Sequence, residues 1–181
     1  VARHLAAHGA RCFGVALLEE AVVLRQAGIT APILVFGGVA TRQIPQFIAH
    51  DLMMSASSID KLRQIDEAAA AARTKARVHL KIDTGMERIG VHWYSAEKLL
   101  EASLGFANVE VAGIYSHFAS SDAEDLSAAR EQLTRFLEVL EFYPKRGLQP
   151  PQRHIANSGG ILQLPKSHLD LVRPGIMLYG V

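Results

Sequence analysis

The sequence predicts an α/β fold built from parallel βαβ units, and three observations carry that prediction. Short apolar runs and amphipathic stretches alternate seven times along the 181 residues, at intervals of roughly 20 to 35 residues. No hairpin signal joins any two of the apolar runs. The third observation is that polar residues gather where those runs end. Such alternation suits either an open doubly wound sheet or a (β/α)8 barrel of the TIM type short of one strand. No Gly-x-Gly-x-x-Gly follows the first apolar run, which counts against a dinucleotide-binding sheet. Lys81, His117, Asn157 with Ser158, and Arg173 all fall at the C-terminal ends of expected strands. Barrel enzymes assemble their sites on that face, so the expectation is an incomplete barrel. No linker or internal repeat suggests a second domain, and residues 1–181 are expected to form one.

The elements follow in order. Val1 to His8 read as the end of a helix stopped by Gly9. Cys12 to Ala16 form a first strand, and Leu18 to Ala27 a helix closed by Gly28. After Pro32, Ile33 to Phe36 make a second strand. Thr41 caps a helix running to about His50, and Leu52 to Ser55 are the third strand. Ser57 with Asp60 is a capping-box pattern opening a helix that carries Ile59, Leu62, Ile65 and Ala69 on one face.

Val78 to Asp83 supply a fourth, buried strand, and Ser95 caps the helix after it. Val109 to Phe118 are the fifth strand. Ser121 and Glu124 box the start of a long helix with Leu126, Leu133, Leu137 and Leu140 facing inward. Pro144, Gly147, Pro150 and Pro151 make a loop. Arg153 to Ala156 form a sixth strand, Asn157-Ser158-Gly159-Gly160 opens a short helix, and Asp170 to Arg173 begin a seventh strand.

Composition narrows the class of function. Nineteen Lys+Arg against eighteen Asp+Glu leave a charge of +1, so no electrostatic case exists for nucleic acid or a membrane surface. No apolar run is long enough to span a bilayer. The single cysteine, Cys12, excludes an internal disulfide framework and fits a reducing, cytoplasmic compartment. Beside an apolar strand it reads as buried filler. The eight histidines are scattered without the spacing of a metal site.

Chemistry concentrates between Lys81 and Arg88. Lys81, Asp83 and Arg88 stand around the exit of a buried strand, with Gly85 permitting the turn, and charge there is costly unless something pairs with it. The plain structural reading is an ion pair of Lys81 with Asp83 or Glu87. The functional reading is a site, favoured by three ionisable groups and a glycine turn in so short a span. Asn157-Ser158-Gly159-Gly160 joins a strand to a helix N-terminus, where N–H groups favour an anion. Ser158 is otherwise a simple N-cap. Gly175 and Ile176 offer a second close backbone approach at the neighbouring strand end. His117 reads either as a satisfied core histidine or as part of the site. Arg173 either pairs with Asp170 or presents its donor fork to a ligand ring nitrogen or carboxylate.

The run His79-Leu80-Lys81-Ile82-Asp83-Thr84-Gly85-Met86-Glu87-Arg88-Ile89-Gly90 closely resembles the central motif of alanine racemases, which interconvert L- and D-alanine with pyridoxal phosphate. The similarity continues through Tyr115-Ser116-His117-Phe118-Ala119, through His154-Ile155-Ala156-Asn157-Ser158, and through Val172-Arg173-Pro174-Gly175-Ile176-Met177-Leu178-Tyr179-Gly180. Four motifs in the right order across the chain make the match highly specific. The resemblance implies that Arg88 bonds the cofactor's phenolic oxygen and helps hold the substrate carboxylate. Lys81 would be the lysine carbamylated in many members, steadying that arginine. His117 would support Arg173, which donates to the pyridine nitrogen, and Ser158 with the backbone of Gly175 and Ile176 would bind the phosphate.

The resemblance also implies parts that these residues do not supply. The lysine that forms the Schiff base lies on the family's first strand, and the chain is expected to begin just after it. The second catalytic base, a tyrosine of a C-terminal β-domain, matches none of Tyr94, Tyr115, Tyr143 or Tyr179. The expected function is therefore alanine racemisation by a homodimeric enzyme that uses pyridoxal 5'-phosphate and supplies D-alanine for peptidoglycan. The 181 residues alone are expected to be inactive. The alternatives are a serine or broad-specificity amino-acid racemase, and a non-catalytic cofactor-binding barrel.

Overall fold

The computed structural model describes residues 1–180 and falls into two compact units. The first comprises Val1–His79 with Phe106–Val111; the second comprises Leu80–Gly105 and the chain from Ala112 onward.

The first unit begins with α1 (Ala2–Ala7), β1 (Phe13–Val15), α2 (Leu18–Gln26) and β2 (Ile33–Val35). It continues through α3 (Ile44–Ala49), β3 (Met53–Ala56), α4 (Ile59–Ala71) and the start of β4 (Ala76–Asp83). Its strands are parallel, pairing Phe13 to Val15 with Ile33 to Val35, and Leu34 and Val35 with Met53 and Met54. Ile33, Leu34 and Val35 are all buried, as expected of parallel strands covered on both faces. Arg25 locks the turns beyond α2 and α3. Its Nε donates to the His50 carbonyl (3.0 Å), its terminal nitrogens to those of Ile29 and Ala31 (both 2.7 Å) and Asp51 (2.8 Å).

Two local expectations shift here. The cap of α4 is Ser58, whose Oγ accepts the Lys61 N–H at 3.1 Å. Asp60 instead pairs with Arg63 at 2.8 Å, so the box from Ser57 does not form. Leu62, Ile65 and Ala69 are buried as expected, but Ile59 is 36 % exposed. Helical side chains lean towards the N-terminus, so a first-turn residue projects past the packed stripe.

The second unit carries the C-terminal half of β4, a short β5 (Val91–His92) and α5 (Ala96–Ser103). It then carries β6 (Val109–Tyr115) from Ala112, α6 (Ser127–Leu140), β7 (Gln152–His154) and α7 (Ser158–Gln163). β5 runs parallel to β4, with Ile82 beside Val91 and Asp83 beside His92. β6 and β7 are parallel, from Gly113 beside Gln152 to Tyr115 beside His154.

Several boundaries move. Among the described residues there are seven strands, but β5 is one that the sequence did not suggest and Asp170 to Arg173 is not a strand. The Asp170 N–H reaches the Arg153 carbonyl (3.1 Å) and the Arg173 N–H the Ala156 carbonyl (3.0 Å). Ladder bonds recur every second residue, and these two are three apart, so no continuous pairing develops. β6 stops at Tyr115, and β7 covers Gln152–His154 rather than 153–156. Ser95 stands at the N-cap position of α5 as expected but makes no capping hydrogen bond; its hydroxyl donates to the His92 carbonyl at 3.1 Å. Helix α6 starts at Ser127, because Asp125 accepts both the Ser127 N–H (2.8 Å) and its hydroxyl (2.9 Å). Ala129, Leu133, Phe136, Val139 and Leu140 face the core with Gln132, while Leu137 is 42 % exposed and Leu126 half-buried.

Candidate functional site

The second unit holds all the candidate residues, and its first contribution is the turn after β4. Asp83 is buried, and its carboxylate accepts four successive backbone N–H groups: Gly85 (2.8 Å), Met86 (2.9 Å), Glu87 (3.2 Å) and Arg88 (3.2 Å). These donors hold its carboxyl below the ordinary carboxylate range against the opposing effect of burial. Asp83 therefore does not pair with Lys81; it organises the turn that presents Arg88. Glu87 sits at φ 56° within that turn and Gly90 at φ 134° behind it. A Cβ on Gly90 would lie 2.7 Å from the Asp83 nitrogen, so only glycine lets the backbone close here. The Arg88 side chain is exposed and makes no hydrogen bond among the described residues.

Lys81 is buried two residues before Asp83, and forms no ion pair among the described residues. Its Nζ lies 4.7 Å from the centre of the Tyr115 ring. Burial, then the positive charge of Arg173, lower its pKa to about 7, with Asp83 opposing and Arg88 adding to the shift. The amine is thus split between neutral and charged forms near neutral pH.

Arg173 is the centre of the second cluster. Its Nη1 lies 2.6 Å from His154 Nδ1. Its Nη2 donates to the carbonyls of Ser116 (2.8 Å) and Ile155 (2.9 Å) and lies 3.3 Å from His117 Nδ1. An arginine only donates, so both Nδ1 atoms must be unprotonated acceptors, with the ring protons on Nε2. His117 is accordingly held neutral: burial first, then Arg173, Lys81 and Arg88, lower its pKa to about 3. Burial lowers the Arg173 pKa to about 10. The Tyr115 ring stacks on His154 at 4.8 Å and 3°, and lies 5.5 Å from the guanidinium carbon. Asp170 instead takes a double hydrogen bond from Arg153 at 2.7 and 2.8 Å.

The third cluster lies at α7. The N-cap is Asn157, whose Oδ1 accepts the Gly160 N–H (3.0 Å) and the Ser121 hydroxyl (2.6 Å). Ser158 is therefore not the cap. Its Oγ accepts the N–H groups of Gly175 (3.0 Å) and Met177 (3.4 Å), which leaves its own proton to donate elsewhere. A Cβ on Gly175 would stand 3.9 Å from that oxygen, in ordinary contact, so the position borders Ser158 without crowding it. Ile176 is 64 % exposed next to it.

The structure thus joins His117 and Arg173, and joins Ser158 to Gly175. It also supplies members that sequence reasoning missed. The sequence reading places His154 in the sixth strand and at the head of a family motif but gives it no role, yet it makes the shortest contact of Arg173. Gln132 interrupts the apolar stripe of α6 at a position where helical periodicity demands burial. That interruption was the available signal.

The N-terminal-domain family model of alanine racemase matches residues 1–181. The chain is 41% identical over 180 residues to an alanine racemase of Carboxydothermus hydrogenoformans, covering 99% of this chain and 49% of the relative. It is 42% identical to alanine racemase 2 of Caldanaerobacter subterraneus, covering 99% and 47%. Among solved structures, an alanine racemase of Clostridium difficile in complex with cycloserine superposes with a TM-score of 0.94 at 30% identity, covering 98% of this chain and 49% of that one. The alanine racemase of Streptomyces lavendulae does so with 0.90 at 38%, covering 99% and 48%. The chain therefore spans about half the length of the relatives it matches. These matches establish the α/β barrel fold, incomplete in this chain, and the chain belongs to the alanine racemase family, as part of its N-terminal domain.

Proposed function

We propose that these residues form the cofactor-binding barrel domain of a racemase that interconverts L- and D-alanine with pyridoxal 5'-phosphate. The observation that carries the reading is Arg173, whose donors are directed by two unprotonated imidazole nitrogens and two carbonyls. A permanently protonated donor suits a ring nitrogen that keeps its lone pair. When bound, the cofactor supplies the electron sink that makes the substrate α-proton acidic. Arg173 keeps that sink moderate, because a neutral pyridine withdraws electrons less than a pyridinium. Ser158 donates its free hydroxyl proton to a phosphate oxygen, beside the backbone of Gly175 and Ile176, and Asn157 fixes the helix that carries it.

Arg88, carried on the turn that Asp83 organises, is exposed and holds the substrate carboxylate and the cofactor's phenolic oxygen. Lys81 is the lysine that takes up carbon dioxide. Its neutral amine forms the N–C bond, a proton leaves to solvent, and the resulting carbamate offers Arg88 and Arg173 a negative charge beside them. The resemblance extends this reading to a cytoplasmic homodimer.

The test is cofactor affinity in the full-length protein. Ser158→Ala is expected to weaken pyridoxal phosphate binding by about 1.5–3 kcal/mol, one hydrogen bond to a charged group, with the melting temperature nearly unchanged. Unchanged affinity with a lowered melting temperature would return Ser158 to a structural role. Turnover of L-alanine against L-serine, with the D-product measured for each, separates an alanine enzyme from a broader racemase.

A further inference from the structure

Gln132 is a buried amide on an otherwise apolar face of α6. Its Oε1 accepts the Ala119 N–H at 2.9 Å, and its Nε2 donates to the His117 carbonyl at 3.0 Å and to Thr84 Oγ1 at 3.3 Å. The orientation is forced: the Ala119 N–H only donates and the His117 carbonyl only accepts, so a flipped amide would lose both bonds. Thr84 Oγ1 lies 2.8 Å from Ser116 Oγ, and Arg135, one turn further along α6, donates to the Thr84 carbonyl at 3.0 Å.

The two segments gripped in this way are the ones that carry the site. Thr84 opens the turn that runs over the Asp83 carboxylate to Arg88. Ser116 and His117 provide a carbonyl and an imidazole nitrogen to Arg173. A leucine would suit the packed face of α6 at position 132, whereas an amide is costly there unless its partners are in place. We infer that Gln132 is a positioning residue that holds the 84–88 turn and the 116–119 segment in register, so that Arg88 and the His117–Arg173 pair engage one ligand together. Gln132 touches no ligand itself; it acts through Thr84 and the main chain of His117. The inference rests on the cofactor reading given above.

The experiment uses the full-length protein and pyridoxal phosphate as the probe. Gln132→Met is nearly isosteric and removes the amide. Gln132→Glu keeps the acceptor for Ala119 and removes the donor to His117 and Thr84. Cofactor affinity, the visible circular dichroism of the bound cofactor, and the melting temperature of the apoprotein are measured for each. Both variants are expected to bind about tenfold more weakly and to change the dichroic band, which reports how the ring sits. Thr84→Val is expected to act in the same direction, and the Gln132→Met/Thr84→Val double variant to do no worse than the more affected single one.

Lowered melting temperatures with wild-type affinity and an unchanged band would overturn the inference, leaving Gln132 as packing. So would multiplicative losses in the double variant. If Gln132→Met does not fold, Gln132→Glu and Thr84→Val decide by the same measurements. A wild-type protein that binds no pyridoxal phosphate overturns the cofactor reading and this inference with it; binding by the wild type and equal binding by the variants overturns this inference alone.

Discussion

Arg25 in the first unit and Arg173 in the second are both part-buried arginines whose guanidinium groups reach at least four partners. The partners differ. Arg25 spends its donors on four main-chain carbonyls, those of Ile29, Ala31, His50 and Asp51. Arg173 divides its donors between two carbonyls and two imidazole nitrogens. Carbonyls accept at any pH, so Arg25 is a fixed staple for turns. Imidazoles accept only while neutral, so the Arg173 cluster depends on proton binding. The strand exits repeat the contrast. β1, β2 and β3 end on Val15, Val35 and Ala56, whereas β4 ends on Asp83 two residues after Lys81, and Ser116 and His117 follow directly on the end of β6. Ionisable side chains at the exits (β3 is flanked only by serines), not helix or strand content, separate the unit that carries the candidate site from the one that supports the fold.

The largest expected effect comes from exchanging each arginine for methionine. Arg173→Met leaves two buried carbonyls and two imidazole acceptors without their donor, and is expected to cost about 3 kcal/mol in denaturant unfolding and to abolish pyridoxal phosphate binding. Arg25→Met frees carbonyls near the surface that water can reach, and is expected to cost about 1 kcal/mol and leave cofactor affinity intact. Equal costs, with binding retained in both, would break the contrast.

Acid titration comes next. His117 takes up a proton at an ordinary 6.5 in the unfolded chain and at about 3 in the folded one. Between those values the unfolded state binds more protons, so stability rises with pH and falls on acidification from about 6.5 towards 3. Asp83, whose folded pKa is lowered, loses its contribution in the same direction at the acid end. With carbon dioxide excluded so that Lys81 is the free amine, it adds a second window: from about 7 to 10.5 the unfolded amine is the more protonated, so stability again rises with pH. His117→Gln keeps an acceptor for Arg173, and is expected to flatten the dependence between pH 4 and 6. A slope unaffected by that substitution would assign the acid sensitivity elsewhere.

Two glycines give a smaller contrast. Gly90→Ala forces a Cβ to 2.7 Å from the Asp83 nitrogen at φ 134°, and is expected to cost about 1–3 kcal/mol and to weaken the binding that depends on Arg88. Gly28→Ala, at φ 84° with open space around it, is expected to cost about 1 kcal/mol with no effect on binding. The smallest effect concerns Glu20, whose carboxylate accepts the N–H groups of Ala16 (2.8 Å) and Leu17 (2.9 Å) at the start of α2. Glu20→Ala is expected to cost about 1 kcal/mol, seen in melting alone.

The elements were legible wherever a local rule governed them. Leu62, Ile65 and Ala69 share a face because the helix repeats every 3.6 residues, and Ile33 to Val35 read as a buried strand because both faces of a parallel sheet are covered. Boundaries were less legible where neighbouring residues compete for one role. Asp125 sets the start of α6 in place of Ser121, and Ser58 caps α4 in place of Ser57. Each choice turns on which oxygen meets a free N–H, and adjacent serines look alike in sequence.

The amino-acid sequence by itself determined the βαβ class, the polar residues that crowd the strand ends, and the motifs that place the chain in its family. Tertiary structure alone decided the partnerships. It gave Asp83 to its own turn rather than to Lys81, Asp170 to Arg153 rather than to Arg173, and Ser158 to the backbone of Gly175 and Met177. It also brought His154 and Gln132 into the cluster. The reason is that spacing along a chain fixes only neighbours within a turn or along a strand. A buried charge or amide takes whichever partner comes within about 3 Å; for Asp83 that is its own turn, whereas for Asp170, Arg173, Ser158 and Gln132 the partner lies many residues away.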